Sequence, residues 1–309
     1  MKNIKKIAIT TTEFGVYSNS PLDLLKKNGC RAVLNTYGRK LTAGELIDIA
    51  KDAIGLIAGT ENITEKELRN MPELKVISRC GTGLDNVDMA SAKKLGIKVF
   101  NTPDAPTIAV AELTVGLILA LLRKISLSDR EIRASIWKKK MGELLFSKKV
   151  GIVGFGRIGK KVAGLLKTMG AEVYFTDPNI VKKSLDSFTK IGFNELLKKS
   201  DIISLHLPYS KTTRKLFGKK EFSQMKKGAL IINCSRGGII DEKALYKALK
   251  SGKLGGAAID VFEYEPYLGP LRELDNVILT PHIGSYAKEA RIMMEKEAVL
   301  NLVKGLKNV

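Results

Sequence analysis

One short segment, residues 149–169, constrains the fold of this chain more than any other part of the sequence. An apolar run leads directly into Gly-Phe-Gly-Arg-Ile-Gly at positions 154–159, and an amphipathic stretch follows without a break. Gly154 permits a tight turn, Gly156 lets backbone N–H groups approach a pyrophosphate, and Gly159 lets a helix pack close to the strand. The segment therefore predicts the first strand, turn and helix of a dinucleotide-binding sheet.

Asp177 supports the same interpretation. It lies eighteen residues after Gly159, where the next apolar run, Glu172–Thr176, ends. A carboxylate at this position accepts hydrogen bonds from ribose hydroxyls and repels a 2′-phosphate, so the sequence favours NAD over NADP. The alternative is a glycine-rich turn beside a solvated acid, which would require strand, glycines, helix and acid to coincide by chance.

Apolar runs alternate with amphipathic stretches along the whole chain, which predicts an α/β protein with two doubly wound parallel sheets. The strands predicted for the first sheet are 4–10, 31–35, 54–58, 75–79 and 97–100. Those predicted for the second sheet are 149–153, 172–176, 201–205, 229–233, 257–260 and 277–280. Further helices are expected over 107–124, 128–136 and 287–303. The prolines of Asn101–Pro106 indicate a hinge between the two series.

Charge and composition narrow the classes of function. The net charge of +20, from 52 Lys and Arg against 32 Asp and Glu, makes nucleic acid a partner to consider. The lysines occur as scattered pairs without a basic tail or interleaved aromatic residues, so we expect a solvated surface and no nucleic-acid partner. Three widely separated cysteines and two histidines argue against a disulfide framework and against a metal site.

Membrane association is also not expected. The longest apolar stretch, Ala109–Leu122, is too short for a bilayer span and ends at Arg123-Lys124. The N-terminal residues Met1–Lys6 lack the apolar region and the cleavage site of a signal peptide. We therefore predict a cytoplasmic protein.

Polar residues follow three predicted strands of the second sheet. Arg236, Asp260 and His282 lie at the ends of 229–233, 257–260 and 277–280, and Glu265 lies in the loop after Asp260. The carboxyl ends of parallel strands form the ligand crevice of a doubly wound sheet. These side chains are therefore expected at one edge of the sheet.

Their chemistry suits one reaction. Hydride transfer to a 2-oxo acid needs a cation for the substrate carboxylate, a proton donor for the developing alkoxide and a carboxylate beside that donor. Arg236, His282 and Glu265 supply one each, although each of them alone would be ordinary as a surface ion pair, a loop histidine or a solvated acid. For His206, at the end of strand 201–205, we expect a role in packing or in flanking the cofactor.

Longer motifs extend this pattern over nearly the whole chain. They are 79–88 (RCGTGLDNVD), Asn101–Pro103, Val110–Leu113, 154–159, His206–Pro208, Asn233–Gly238, Asp260–Pro266 and Pro281–Gly284. In this order they resemble the D-isomer-specific 2-hydroxyacid dehydrogenases, and most closely the phosphoglycerate dehydrogenase branch. The resemblance implies an enzyme that uses NAD as its cofactor and a small 2-hydroxy or 2-oxo acid as its substrate.

The resemblance also implies roles for particular residues. His282 would be the acid/base, Glu265 its charge partner and Arg236 the anchor of the substrate carboxylate and carbonyl. Substrate contacts are expected from Arg79, Gly81, Thr82 and Gly83. Cofactor contacts are expected from Gly154, Gly156, Arg157, Ile158, Gly159, Asp177, Pro208, Cys234 and Asp260, the last through the nicotinamide amide.

The family resemblance further implies a domain map and an oligomeric state. A Rossmann NAD-binding domain, residues 101–284, would be inserted into a flavodoxin-like substrate domain formed by 1–100 and 285–309. Members of the family are usually dimers built through the cofactor domain and the long helices that precede it. We therefore expect a homodimer, with the apolar stretch Ala109–Leu122 at its interface.

The substrate is less well determined. Arg79 and Lys138–Lys140 resemble part of a phosphate site, which favours 3-phosphoglycerate and a role in L-serine biosynthesis. Residues 58–62, however, read Ala-Gly-Thr-Glu-Asn where the phosphoglycerate enzymes usually carry Arg-Ser, so one phosphate contact is missing. Hydroxypyruvate or glyoxylate reduction, D-lactate formation and a non-catalytic, NAD-sensing corepressor-like role are the alternatives. Because the chain ends at Val309 without a regulatory domain, we expect no inhibition by L-serine.

Overall fold

The computed structural model describes residues 4–182, 184–185 and 187–307. Within these ranges the chain divides into two units. Unit 1 contains the residues up to Pro106 together with those from Ser285 onward, and unit 2 is Thr107–Gly284. Residues Met1–Asn3, which belong to the N-terminal segment used to predict localisation, lie outside the described residues.

Unit 1 contains a fully parallel sheet with helices on its faces. Its strands are β1 Lys5–Ile9, β2 Cys30–Leu34, β3 Gly55–Ala58, β4 Val76–Arg79 and β5 Lys98–Asn101. Its helices are α1 Ser20–Lys27, α2 Ala43–Ala50, α3 Glu65–Arg69, α4 Met89–Lys94 and, at the end of the chain, α11 Lys288–Lys307. The strand order β2-β1-β3-β4-β5 is that of a flavodoxin-like sheet. The predicted α/β class and parallel strands are therefore confirmed for this unit.

The last helix packs on the sheet of unit 1. Val299 and Leu302 of α11 lie in one apolar cluster with Ile7, Ile57 and Val76 of the strands. A Cβ atom on Gly305 would lie 2.8 Å from the side chain of Val76, so the helix approaches the sheet where glycine removes the side chain. The end of the chain thus completes the core formed by its first hundred residues.

Unit 2 is built around a larger sheet. Its strands are β6 Lys149–Val153, β7 Glu172–Thr176, β8 Ser184–Leu185, β9 Phe188–Lys190, β10 Ile202–Leu205, β11 Ala229–Asn233, β12 Leu254–Ile259 and β13 Val277–Leu279. Its helices are α5 Thr107–Leu122, α6 Ile125–Arg133, α7 Arg157–Thr168, α8 Phe193–Lys199, α9 Lys219–Gln224, α10 Glu242–Lys250 and a 3-10 turn over Pro270–Glu273. The order β13-β12-β11-β10-β6-β7-β9-β8 places β6 and β10 side by side, at the switch point where a Rossmann sheet binds its ligand.

Three elements of unit 2 differ from the prediction. The hairpin of β8 and β9 was missed, because strands of two and three residues show no period-two pattern. Helix α6 begins three residues before the predicted start, directly after Lys124 in a left-handed conformation. Strand β12 also begins three residues early, because Gly255 and Gly256 weaken the strand signal.

Neither a membrane-spanning helix nor a metal-binding cluster is present within the described residues. In these ranges no helix is both long and apolar enough to cross a membrane. The same ranges contain no cluster of three His, Cys, Asp or Glu side chains with the geometry of a metal site. Cys30, Cys80 and Cys234 are buried free thiols.

Candidate active site

The turn between β6 and α7 has the shape that its three glycines predict. Gly154 has a φ of +91°, and a Cβ atom there would lie 2.3 Å from the carbonyl oxygen of His206. A Cβ atom on Gly159 would lie 2.2 Å from the carbonyl oxygen of Gly154. A Cβ atom on Gly156, by contrast, would meet open space, at the point where the N-terminus of α7 begins. The turn therefore fits a pyrophosphate approaching the backbone at Gly156.

Asp177 follows β7 and is tied to this turn. One of its carboxylate oxygens accepts the N–H of Phe155 at 2.8 Å, and the other accepts the N–H of Asn179 at 2.9 Å. Each carboxylate oxygen has a second lone pair, so the same group can accept from a ribose hydroxyl. Arg157 and Ile158 form the first turn of α7 beside it, with Arg157 exposed and Ile158 half-buried.

His206 follows β10 and packs beside the glycine turn. Its ring Nε2 lies 2.9 Å from the hydroxyl of Ser204, while its backbone carbonyl lies against Gly154. Burial lowers the pKa of His206 to about 3, so the imidazole is neutral at ordinary pH. Pro208 follows in the same loop, where its carbonyl accepts the hydroxyl of Thr213 at 2.8 Å.

Cys234 follows β11 at the same edge of the sheet. Burial raises the pKa of its thiol to about 12, with the nearby charge of Asp260 acting in the same direction. The thiol is therefore protonated and is not a nucleophile. Its contact with the cofactor stays a prediction.

His282 and Glu265 form a hydrogen-bonded pair. The Nδ1 atom of His282 lies 3.0 Å from one carboxylate oxygen of Glu265 and 3.2 Å from the other. The N–H of Phe262 donates to the same carboxylate at 3.1 Å and fixes its position. Both side chains of the pair are partly exposed, at 43% and 39%. The Nε2 atom is thus the ring atom left to exchange a proton with a substrate.

Asp260 shapes the loop that carries His282. Its buried carboxylate accepts the hydroxyl of Thr280 at 2.6 Å and the N–H groups of Ile283 and Gly284 at 2.8 and 2.9 Å. Burial raises the pKa of Asp260, and these hydrogen bonds oppose that increase. His282 itself has a φ of +55°, an uncommon conformation for a residue with a side chain. The contact of Asp260 with the nicotinamide amide stays a prediction.

Arg236 lies on a turn that Asn233 closes. The side-chain amide of Asn233 donates to the carbonyl of Arg236 at 2.9 Å, and its oxygen accepts the N–H and the hydroxyl of Ser235 at 3.0 and 2.7 Å. Asn233 is buried at the end of β11, so the turn begins from a fixed point. Sequence reasoning did not assign this role, although an Asn at the end of a strand is a signal for such a turn.

The residues predicted for chemistry thus follow three neighbouring strands. Arg236 follows β11, Glu265 lies in the loop after β12, and His282 follows β13. The structure joins His282 to Glu265 by a hydrogen bond and brings all three to the carboxyl edge of one sheet. A cation, an acid/base and its carboxylate partner at this edge can orient a 2-oxo acid and exchange a proton with its oxygen.

In unit 1, the loop after β4 carries the residues predicted for substrate binding. The N–H of Gly81 donates to the buried hydroxyl of Thr102 at 2.7 Å, so it is used within the unit. The guanidinium of Arg79 occupies the space beside Gly81, where a Cβ atom would lie 1.2 Å from Nη1. Thr82 and Gly83 therefore carry the N–H groups that the prediction needs for a carboxylate.

Exchange of Asp177 for Ser tests the assigned cofactor contact. Loss of charge-assisted hydrogen bonds should weaken NADH binding about tenfold, while NADPH binding should weaken less or improve. Fluorescence titration with both nucleotides measures this ratio. Asp201→Ser is a matched control, because Asp201 is also half-buried at a strand terminus and accepts a backbone N–H, from Lys149 at 2.8 Å. An unchanged NADH to NADPH ratio in Asp177→Ser would contradict the assignment.

Comparison with known proteins agrees with this geometry. The family model described as "D-isomer specific 2-hydroxyacid dehydrogenase, NAD binding domain" matches residues 115–284. A D-3-phosphoglycerate dehydrogenase from Methanocaldococcus jannaschii is 44% identical over 81% of this chain and 49% of its own length. The chain spans about half the length of three phosphoglycerate dehydrogenases that it matches at 37–44% identity.

Two further comparisons extend over nearly the whole chain. A hydroxypyruvate reductase from Thermotoga maritima is 36% identical over 95% of this chain and 98% of its own length. The crystal structure of the TT0316 protein from Thermus thermophilus superposes with a TM-score of 0.90 at 33% identity, and covers 98% of this chain and 97% of that one. With the glycine turn and Asp177, these matches identify NAD as the cofactor. The chain belongs to the D-isomer specific 2-hydroxyacid dehydrogenase family.

Proposed function

We propose that the chain is an NAD-dependent dehydrogenase that interconverts a D-2-hydroxy acid and the corresponding 2-oxo acid. The observation that carries this proposal is the hydrogen bond between His282 and Glu265, at 3.0 Å, on the sheet edge that also bears Arg236 and the glycine turn. A protein that only sensed NAD would need the turn but not the acid/base pair.

Each residue has one task in this proposal. Arg236 binds the substrate carboxylate and carbonyl. A contact of Thr82 and Gly83 with a substrate carboxylate stays a prediction from the sequence. NAD held at the glycine turn would supply the hydride chemistry at C2 of the 2-oxo acid, in either direction. His282 transfers the proton from Nε2 to the oxygen on C2, and removes it when the hydroxy acid is oxidised. Glu265 orients the ring through Nδ1.

Replacement of His282 by Ala is expected to remove the proton transfer and leave the cofactor site intact. The kcat for reduction of a 2-oxo acid should fall by about 10²- to 10⁴-fold, while NADH affinity stays near that of the wild type. Steady-state kinetics and NADH titration measure the two quantities. Glu265→Gln keeps an acceptor for Nδ1 but loses the charge, so its kcat should fall less. Equal losses in kcat and NADH affinity would count against the role of His282.

The first candidate substrate pair is 3-phosphoglycerate and 3-phosphohydroxypyruvate, the reaction that would place the chain in L-serine biosynthesis. Relatives with the name D-3-phosphoglycerate dehydrogenase support it at up to 44% identity. Arg79 supports it too, because its guanidinium lies beside the loop proposed to hold the substrate. A cytoplasmic location remains a prediction from the sequence.

Two contacts favour the second candidate, an unphosphorylated acid such as hydroxypyruvate or glyoxylate. Lys140, which the phosphate hypothesis requires, is paired with Glu131 at 2.7 Å. The loop after β3 contributes the buried carboxylate of Glu61, which accepts the N–H of Gly59 at 3.0 Å and the hydroxyl of Thr10. A carboxylate in that loop offers no attraction to a phosphate. The hydroxypyruvate reductase from Thermotoga maritima, matched over almost its full length, agrees with this candidate.

The ratio of kcat/KM for 3-phosphohydroxypyruvate to that for hydroxypyruvate decides between the candidates. The two acids differ only in the phosphate, so binding of that group should raise the ratio above about ten. A value below one would reject the phosphorylated substrate. Arg79→Gln serves as the internal control, because it should lower the ratio only if Arg79 contacts the phosphate.

We further propose that the chain forms a homodimer through an apolar surface on residues 132–146 of unit 2. The surface consists of Ile132, Trp137, Met141, Leu144 and Phe146, of which Trp137 is 86% and Met141 90% exposed. A contiguous exposed apolar patch marks an association surface, and we propose that these side chains form one. Helix α5 packs Ala111, Leu117 and Ile118 in the core of its own unit, while Leu113 and Val115 are only partly buried. Its place in the interface stays a prediction, and the segment that follows it is proposed as the larger part of the contact.

Two charged substitutions test the dimer. Wild-type chain should have about twice the monomer mass of 33.9 kDa in light scattering, and Trp137→Asp combined with Met141→Asp should shift it to the monomer. Val181→Asp is the matched control, because Val181 is 94% exposed elsewhere in the same unit. A monomeric wild type, or an equal effect of Val181→Asp, would contradict the proposed interface.

A further inference from the structure

One peptide, between Phe262 and Glu263, belongs to the loop of Glu265 and lies against the loop of Arg236. A Cβ atom on Gly237 would lie 1.9 Å from the carbonyl oxygen of Phe262 and 2.9 Å from the nitrogen of Glu263. The N–H of Phe262, in the preceding peptide of the same loop, donates to the carboxylate of Glu265 at 3.1 Å. Movement of this peptide would therefore shift Glu265 relative to Arg236.

Glu242, the first residue of α10, holds this peptide in place. Its Oε1 atom accepts the N–H of Glu263 at 2.9 Å, and its side chain is half-buried. The ring of Phe262 is held separately, by stacking on Tyr267 at a centroid distance of 4.3 Å. The N–H of Glu263 is thus held by a carboxylate oxygen from α10, a helix outside the strand-end loops.

The electrostatic surroundings of Glu242 are unfavourable for a carboxylate. Burial raises the pKa of Glu242, and the negative charges of Glu263 and Asp241 raise it further. The hydrogen bond from Glu263 and the charge of Lys215 oppose this increase. These surroundings disfavour the charge of Glu242, yet its oxygen accepts the N–H of the peptide beside the acid/base pair. That hydrogen bond is the most direct use of this carboxylate.

We propose that Glu242 is a positioning residue of the active site. Its hydrogen bond to Glu263 keeps the 262–263 peptide against Gly237. The position of Glu265 relative to His282 and Arg236 is thereby maintained. The inference rests on the proposed function, which assigns the acid/base role to His282 and Glu265. It adds a residue outside the strand-end loops to the groups on which proton transfer depends.

Three variants test this role. Glu242→Ala removes the acceptor, Glu242→Gln keeps an acceptor oxygen without the charge, and Glu221→Ala is the matched control. Glu221 is also half-buried near the start of a helix, α9, and accepts a backbone N–H, that of Gly218 at 3.0 Å. The measurements are kcat, the KM for NADH, and hydrogen exchange of the backbone over residues 262–267.

Glu242→Ala should lower kcat by about tenfold or more, leave the KM for NADH within about twofold, and accelerate exchange at 262–267. Glu242→Gln should restore both kcat and the slow exchange, because its amide oxygen accepts the same N–H. Glu221→Ala should change neither quantity. A merely structural role for Glu242 predicts similar behaviour of Glu242→Ala and Glu221→Ala.

The proposal is overturned if kcat of Glu242→Ala lies within twofold of that of Glu221→Ala. It is also overturned if Glu242→Gln is as impaired as Glu242→Ala, since charge rather than the hydrogen bond would then be the cause. A wild-type chain that reduces no 2-oxo acid overturns the proposed function. In that case the exchange data still decide whether Glu242 holds the 262–263 peptide.

Discussion

The carboxylate of Asp260 is the interaction on which the arrangement of the site depends. Asp260 directly follows β12. Its carboxylate accepts hydrogen bonds from the hydroxyl of Thr280 and from two successive N–H groups after His282. These bonds hold His282 in a left-handed conformation that costs roughly 1–3 kcal/mol for a residue with a side chain. Without them, the loop could relax to a more common conformation and the imidazole would leave Glu265.

This arrangement follows from a general property of parallel sheets. Strands β11, β12 and β13 end at the same edge, so three loops that are distant in sequence begin side by side. Two of these loops are fixed by a buried polar residue at a strand end: Asn233, the last residue of β11, fixes the turn of Arg236, and Asp260, directly after β12, fixes the turn of His282. The glycine turn after β6 lies at the switch point of the same sheet, so cofactor and acid/base groups share one rigid support.

The sequence was sufficient for those parts of the fold that depend on local pattern. The buried strands β6, β7 and β11 have the predicted bounds, because a strand covered on both faces is a continuous apolar run. The hairpin β8–β9 and the early start of β12 were missed, since very short strands and paired glycines carry little pattern.

At the site, residue type and strand position were sufficient to select Arg236, Glu265 and His282. The hydrogen bonds of Thr102 and Glu242 could not be predicted in this way. They join groups whose separation is defined only after the strands have paired, as with Thr102 and the N–H of Gly81, which belong to different loops. The choice between a phosphorylated and an unphosphorylated substrate could not be predicted for the same reason. The ion pair between Lys140 and Glu131 forms only in the folded chain.

The loops of Arg236, Glu265 and His282 form the proposed site for reduction of a 2-oxo acid by NADH. Chiral analysis of the product, after the purified protein is incubated with NADH and hydroxypyruvate or its 3-phosphate, tests this proposal. One D-2-hydroxy acid is expected to form for each NADH oxidised. Formation of the L isomer, or no oxidation of NADH with either acid, would contradict it.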